Sequence, residues 1–249
     1  MIEIEVQKAS HGDCIWIRCI GERNINIVID AGPTTFAAGF RKLIEKISDN
    51  KEKIDLLVFT HIDDDHIRGC TKYFNSNGEK IIDKVWLNGE GTSVYLNIQE
   101  HSVKNVRSLV DLLKKENIPI EQPIMEGSEY VFMGGKVKVI GPTESEIMAV
   151  ANRIETAEKI QEHSSHCYVG NIDDAVDVYE RNTSITNRAS LILVIEFDEK
   201  KLLFLGDSTS ENVLDAINKY CKNDQFEIVK LPHHGSHRNI SRKLIRELK

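Results

Sequence analysis

The sequence predicts an α/β protein of layered strands and helices. Short apolar runs alternate with longer segments whose apolar residues recur every three to four positions. The runs stop at Gly, Pro or Asp turn signals. Three clusters of histidine or aspartate stand directly after three of the runs, and strand ends are where layered α/β proteins hold ligands.

The elements follow in chain order. Ile2–Val6 alternates apolar and charged residues at the two-residue period of a half-buried strand, and Cys14–Ile20 and Ile25–Ile29, with Gly21–Asn24 between them, extend it into a meander ended by Asp30-Ala31-Gly32-Pro33. Phe36, Phe40, Leu43, Ile44 and Ile47 predict an amphipathic helix over Phe36–Ser48. The nearly continuous apolar run Ile54–Phe59 predicts a strand covered on both faces, which delivers Thr60-His61-Ile62-Asp63-Asp64-Asp65-His66 on a tight turn. Lys84–Leu87 is a short strand, Val103–Glu116 a helix, Lys136–Ile140 a strand ended by Gly141-Pro142, and Thr143 to about Ala157 a helix. A long loop or insertion is expected over about 158–186, where Ser, Asn and Asp abound and no period holds. Ser190–Phe197 and Leu202–Leu205 form a hairpin through a four-residue connection, 198–201. Gly206-Asp207-Ser208 ends it, a helix spans about Ser210–Tyr220, and Phe226–Leu231 is a last strand running into Pro232-His233-His234-Gly235-Ser236.

At 249 residues and 41% hydrophobic content the chain can bury a substantial core, and a single domain over 1–249 is expected. The absence of a long apolar run or a basic, apolar start leads to the expectation of a cytoplasmic protein with no membrane partner. The five cysteines are scattered without Cys-x-x-Cys spacing, so they read as buried thiols rather than a zinc ribbon or disulfide framework. A net charge of −7 argues against a generally basic nucleic-acid-coating surface, while leaving room for a local phosphate-binding patch.

The clusters carry the chemistry. His61, Asp63, Asp65 and His66 lie within six residues, and imidazole with carboxylate is the ligand set of zinc, manganese or iron in hydrolytic sites. Three successive aspartates also suit a solvated loop or a helix N-terminus. An EF-hand calcium loop fits poorly, since its alternate oxygen ligands, central glycine and terminal Glu are out of register. Gly206-Asp207 alone is a weak signal; adjacent histidines before a glycine, as in His233-His234-Gly235, have few purely structural uses.

Taken together, Thr60-His61-Ile62-Asp63-Asp64-Asp65-His66-Ile67-Arg68-Gly69, Leu205-Gly206-Asp207 and Leu231-Pro232-His233-His234-Gly235-Ser236 resemble the metallo-β-lactamase fold hydrolases, from about Gly12-Asp13 through Ser236. Asp63 stands where the superfamily commonly has a second His, and with Asn187-Arg188-Ala189-Ser190 this is similar to the hydrolase domain of DNA-uptake competence proteins. The resemblance implies a four-layer αβ/βα sandwich with two divalent ions, Zn2+ or Mn2+, at one edge. It implies that His61 and Asp63 bind the first metal, that Asp65, His66 and one of the terminal pair, with His234 favoured, bind the second, and that Asp207 bridges them. Asp65 would also orient the nucleophile, and Asp30 would orient a ligand through hydrogen bonds. Asn187, Arg188, His233 and Ser236 would support ligands or touch substrate, with Arg68 and His237 as further phosphate contacts.

Two departures qualify that expectation. Asn187 occupies the place of the histidine that usually completes the first metal's shell, leaving His163 or His166 of the long loop as substitutes. Only thirteen residues, His237 to Lys249, follow the last motif, so the C-terminal part of the fold is expected to be incomplete or supplied by a partner or a second copy of the chain. The resemblance implies phosphodiester hydrolysis of a nucleic acid or nucleotide; the same site would also serve a small ester, lactone or thioester. A metal-poor module that binds a partner through its C-terminal edge is the reading from another class. A β-lactamase in the strict sense goes with secretion, for which the sequence carries no signal.

Overall fold

A computed structural model describes residues 1–76, 78–89, 101–156, 179 and 181–248. A first sheet has the order β1 (Ile2–Val6), β2 (Ile15–Cys19), β3 (Ile25–Ile29), β4 (Leu56–Val58), β5 (Val85–Trp86) and β6 (Ile120–Glu121). The second has the order β11 (Ile228–Lys230), β10 (Lys200–Phe204), β9 (Ile192–Phe197), β8 (Gly135–Gly141) and β7 (Glu129–Phe132). The described helices are α1 (Ala37–Asp49), α2 (Asp64–Asn75), α3 (His101–Lys115), α4 (Glu144–Thr156), α5 (Ile185–Arg188), α6 (Ser210–Tyr220) and α7 (Arg242–Glu247).

Three apolar layers show how these pieces stack. Between the sheets lie Ile27 and Ile29 of β3, Leu56 and Val58 of β4, Leu193 and Ile195 of β9, and Leu202 and Phe204 of β10. The opposite face of the first sheet, with Val28 and Leu57, is covered by Phe40, Leu43, Ile44 and Ile47 of α1, Ile67 and Cys70 of α2 and Leu109 and Leu113 of α3. The opposite face of the second, with Ile192, Val194 and Leu203, is covered by Val213, Leu214 and Ile217 of α6 and Leu244 of α7. The chain is therefore a four-layer αβ/βα sandwich. Strands β3, β4, β9 and β10 read as continuous apolar runs because successive side chains enter two different cores.

Several boundaries differ from the sequence reading, each for a local reason. The β9–β10 connection is only Asp198-Glu199, because Lys200 already pairs with Phe197; both turn residues have positive φ, 52° and 63°, as the twist of a two-residue hairpin demands. The short edge strands β6 and β7 show too little apolar alternation to be read in advance. Helix α2 was expected as a tight turn, with a helix N-terminus as the alternative for its aspartates; Asp63 is indeed its N-cap residue, and Asp64 and Asp65 occupy a first turn where negative charge is favourable. The C-terminal residues add α7, whose Leu244 is buried beside α6. Within the expected 158–186 loop, residues 181–184 are irregular and α5 begins at Ile185; the rest, with His163, His166 and Cys167, lies outside the described residues. Cys14, Cys19, Cys70 and Cys221 are free and buried. Among the described residues no helix is long and apolar enough to cross a membrane.

The topology gathers four strand ends at one edge. Strands β3 and β4 run parallel in the first sheet and β10 and β11 in the second, so the segments after Ile29, Val58, Phe204 and Lys230 emerge together. A bond from Leu191 N–H to the Thr60 carbonyl, 2.9 Å, joins the sheets there. Helix α2 is pulled onto the post-β3 segment by Ala31 N–H to the His66 carbonyl and Gly69 N–H to the Gly32 carbonyl, each 2.8 Å.

The close approach explains Gly69, since a β-carbon there would overlap the Ala31 carbonyl oxygen. Gly69→Ala should cost about 1–3 kcal/mol and lower the thermal midpoint by roughly 2–10 °C in calorimetry. An unchanged midpoint would show that α2 does not depend on this contact.

Candidate metal centre

Asp30 is the first residue placed at the edge. It follows β3 with φ 60°, a left-handed conformation uncommon for a residue with a side chain, and it is fully buried. Its carboxylate accepts from the Thr60 amide (2.8 Å), the Thr60 hydroxyl (2.8 Å) and His66 Nδ1 (2.8 Å). A buried carboxylate persists only with such partners.

These bonds fix the protons on two imidazoles. His66 donates from Nδ1 to Asp30, so in its neutral form Nε2 carries a lone pair. Thr60 gives its only hydroxyl proton to Asp30, so its oxygen accepts from His61 Nδ1, 3.0 Å away, and His61 Nε2 is also bare. Both Nε2 atoms are buried without a hydrogen-bond partner, as is Asp207 Oδ1.

Asp63 occupies the N-cap position of α2, yet its side chain makes no cap bond. It lies instead 3.5 Å from His61 Nε2 and accepts from the Thr186 hydroxyl at 3.2 Å. Its neighbours divide the work: Asp64 pairs with Arg68 (3.2 Å) and accepts from Asn105 (2.6 Å), while Asp65 stands 3.7 Å from His66 Nε2. Only the middle aspartate of the run is a purely structural surface group. Arg68, expected as a phosphate contact, serves it.

Asp207 follows β10 after Gly206, and its amide donates to Ser190 Oγ at 2.9 Å. Its Oδ2 is the centre of the cluster: Nε2 of His66 lies at 3.5 Å, of His233 at 3.7 Å, of His234 at 3.8 Å and of His61 at 4.0 Å. His233 and His234 reach it because both adopt left-handed backbone, φ 47° and 52°, on the turn after β11. His234 Nδ1 faces Asp13 Oδ1 at 3.3 Å, and Asp13 is held in turn by Lys230. His234 Nε2 is also 3.9 Å from Asp65.

The donor set fits metal ions. Separations of 3.5–4.0 Å are too long for hydrogen bonds. They are slightly wider than the roughly 3–3.6 Å between atoms that share an ion at about 2.0–2.2 Å. His61, His66 and Asp207 form one ligand group and Asp65, His66 and His234 another. The side chains of Asp63, Asp65, His233 and His234 are 34%, 27%, 30% and 30% exposed, so the cluster opens to solvent on their side.

Other expected residues lie around this cluster. Asn187, buried at the end of α5, places Nδ2 3.2 Å from His233 Nδ1. Arg188 donates none of its Nε–H to the protein, and its carbonyl accepts from Asn212. Ser236 caps the turn, its hydroxyl accepting from the Arg238 amide at 3.3 Å. Sequence reasoning passed over Asp13, although Gly12-Asp13 marked where the resemblance begins. It also passed over Lys230, the last residue of β11, and Asn239, which lies beyond the last motif and gave no signal.

The electrostatics are those of acids and imidazoles sharing protons. Burial opposes charge on His61 and His66, but Asp63 and Asp207 beside the first, and Asp30 and Asp207 beside the second, raise both pKa values, that of His66 strongly. Desolvation opposes ionisation of buried Asp207 and, less, of partly exposed Asp63, and the neighbouring histidines nonetheless hold both low. In metal-free protein the imidazole contribution to stability is complete below about pH 6.5 and lost as pH rises through the raised values. The carboxylate contribution is present above about pH 4 and lost as pH falls. Added zinc would have to displace those imidazole protons, so any stabilisation by zinc should grow from pH 6 to pH 8 in calorimetry with protons released on binding. A zinc-induced shift that shrinks over that range would contradict the arrangement.

The orienting role of Asp30 has its own consequence. Asp30→Asn should weaken zinc affinity by about 10–100-fold, measured by competition with a chromophoric chelator. Wild-type affinity in a folded variant would rule that role out.

Among solved structures, the chain is similar to a subclass B3 metallo-beta-lactamase from a soil metagenome library, at 11% identity and TM-score 0.45, over 99% of this chain and 88% of that one. It is similar to a metallo-beta-lactamase from Hirschia baltica, at 9% identity and TM-score 0.41, over 99% and 90%. It is also similar to the flavodiiron protein from Giardia intestinalis, at 12% identity and TM-score 0.40, over 80% of this chain and 34% of that one. No curated protein matches the chain. Over residues 8–81, the part that carries Asp13, Asp30 and the whole Thr60–His66 segment, the chain matches the model of the metallo-beta-lactamase superfamily.

Proposed function

We propose that the chain is a metal-dependent hydrolase of the metallo-β-lactamase superfamily, using two divalent ions, Zn2+ or Mn2+, to cleave phosphodiester bonds of a nucleic acid or nucleotide. The observation that carries this reading is the convergence of four imidazole Nε2 atoms on Asp207 Oδ2. Two of those nitrogens are buried with no hydrogen-bond partner in the protein. Evolution of a purely structural cluster would pair such atoms, because each unpaired buried polar group costs about 1–3 kcal/mol.

His61 and Asp63 would hold one ion, Asp65, His66 and His234 the other, and Asp207 both. Bound there, the ions would supply Lewis acidity and lower the pKa of a water toward neutrality. The chain's own groups do the rest. Asp30 keeps His61 and His66 in the ligand tautomer, and Asp13 does the same for His234. Asp65, partly open to solvent, is placed to orient an attacking water.

The choice of a phosphodiester rests on the aspartate-rich donor set, which suits hard ions such as Mn2+. It rests also on Arg188 and Arg238, whose Nε–H groups are buried without protein acceptors and which flank Asn187 and Asn239 beside His233. A guanidinium carried on the residue next to a site asparagine is a candidate phosphate contact. The −7 net charge is compatible with a small or single-stranded substrate held locally.

The test is hydrolysis by metal-loaded protein of bis-p-nitrophenyl phosphate, single-stranded DNA and a lactone and thioester panel. Turnover of the phosphodiesters is expected, and Asp207→Ala should reduce it to background. Activity confined to the lactones or thioesters would replace the substrate class, and a metal-free, inactive protein would leave the partner-binding module. An unchanged rate in Asp207→Ala would remove Asp207 from the reaction.

A further inference from the structure

Asn187 stands where a third histidine would complete the shell around His61 and Asp63, and its amide reaches His233 instead. The question is what that shell receives in exchange. His233 lies at the end of β11, its Nε2 3.7 Å from Asp207 Oδ2, a separation matching those of the other three histidines.

The proton on His233 can be placed from the hydrogen bonds behind it. Asn239 is fully buried, and its Nδ2 donates to two backbone carbonyls, those of Asp207 at 2.9 Å and Ser208 at 3.0 Å. Carbonyls only accept, so the amide cannot be turned the other way, and Oδ1 must face His233 Nδ1, 2.9 Å away. Asn182 points the same way: its Oδ1 accepts from the Ser184 amide and its Nδ2 donates to Asn239 Oδ1, each a fixed polarity. Two amide nitrogens also face His233 Nδ1, Asn182 Nδ2 at 3.5 Å and Asn187 Nδ2 at 3.2 Å, but both are longer contacts, and the Asn187 oxygen meets only the hydroxyls of Ser184 and Thr186, so that amide is free to turn its oxygen to the ring. The short contact to the fixed Asn239 oxygen therefore places the proton of His233 on Nδ1, and its Nε2 presents a lone pair to the cluster. This is the arrangement Asp30 imposes on His66, built here from an amide rather than a carboxylate.

Resting on the hydrolase reading above, we propose that His233 supplies the missing ligand beside His61 and Asp63, with Asn239 as the positioning residue that fixes its tautomer. The adjacent histidines then divide between two ions. One shell takes His61, Asp63 and His233, the other Asp65, His66 and His234, and Asp207 Oδ2 is shared. Each ion thus meets two imidazoles and two carboxylate oxygens. The same backbone that gives His233 and His234 positive φ, and so turns both rings toward Asp207, is what permits the division. No ligand is then required from the segment that carries His163 and His166.

The experiment uses the full chain, stripped of metal and then titrated with zinc, with stoichiometry read by elemental analysis after desalting. Wild-type protein should hold two equivalents. His233→Ala should hold one, with the weaker site's affinity reduced at least about 100-fold. Asn239→Leu, which removes the acceptor, should weaken the same site that His233→Ala removes. Because these variants can also disturb folding, the unmodified protein gives an independent readout. After 113Cd loading, 15N-labelled His233 should show coupling through Nε2 to a cadmium distinct from the one coupled to His234.

Two zinc equivalents bound with unchanged affinity by folded His233→Ala, or no cadmium coupling to His233, would overturn this assignment while leaving a two-metal hydrolase intact. A wild-type protein that binds no metal would overturn the hydrolase reading and this assignment together.

Discussion

The buried carboxylate of Asp30 is the constraint on which the site edge depends. It sits at the end of β3 in a left-handed conformation, takes three hydrogen bonds, and through them fixes the start of the post-β4 segment and the rings of His61 and His66. Its backbone amide donates to the Val58 carbonyl at 2.8 Å, so the acid is rigidly tied to β4 before its side chain does anything. A charge with no exposure is costly to bury, and here the cost is offset because both of its oxygens accept hydrogen bonds. Strain and burial meet where chemistry needs groups held in one orientation.

The same device recurs around the cluster with different chemistry. His66 is held by a carboxylate, His61 by a threonine that has already given up its proton, His234 by Asp13 and His233 by Asn239. In each case an oxygen engages Nδ1, which leaves Nε2 facing inward toward Asp207. Tautomer control of this kind decides whether an imidazole can be a ligand at all, and it acts from outside the ring of donors. Asp13 carries a second duty. Lys230 neutralises it, so His234 is oriented without adding an uncompensated charge to a region already rich in acid.

The acids themselves illustrate how one run of sequence serves two purposes. Asp63, Asp64 and Asp65 open α2 and favour its N-terminal dipole. Yet Asp63 gives up the capping bond that its position allows, worth about 1 kcal/mol, and turns toward His61 and Thr186. Helix start and site are thus alternatives for that side chain, and the fold adopts the second. Both readings of the Asp run hold in part, since Asp64 behaves as a solvated helix residue paired with Arg68 and Asn105.

The sequence by itself determined the layers and the order of the site. Apolar periodicity located β1 to β4, α1, α3 and the β8–α6 region, because each of those elements buries a wide face and so must write its period into the chain. It also determined that Asp30, the Thr60–His66 segment, Asp207 and His233-His234 follow strands. What it could not carry were short or polar pieces, such as β6, β7 and α2, whose placement comes from neighbours rather than from their own pattern. Only the tertiary structure decided which nitrogen of each histidine faces inward. Tautomers depend on acceptors distant in the chain: Asp30 is 36 residues from His66, and Asn239 carries no sequence signal of its own. The division of the two adjacent histidines, and the separation of Asp64 from Asp63 and Asp65, likewise follow from backbone direction at strand and helix ends, which composition and spacing do not encode.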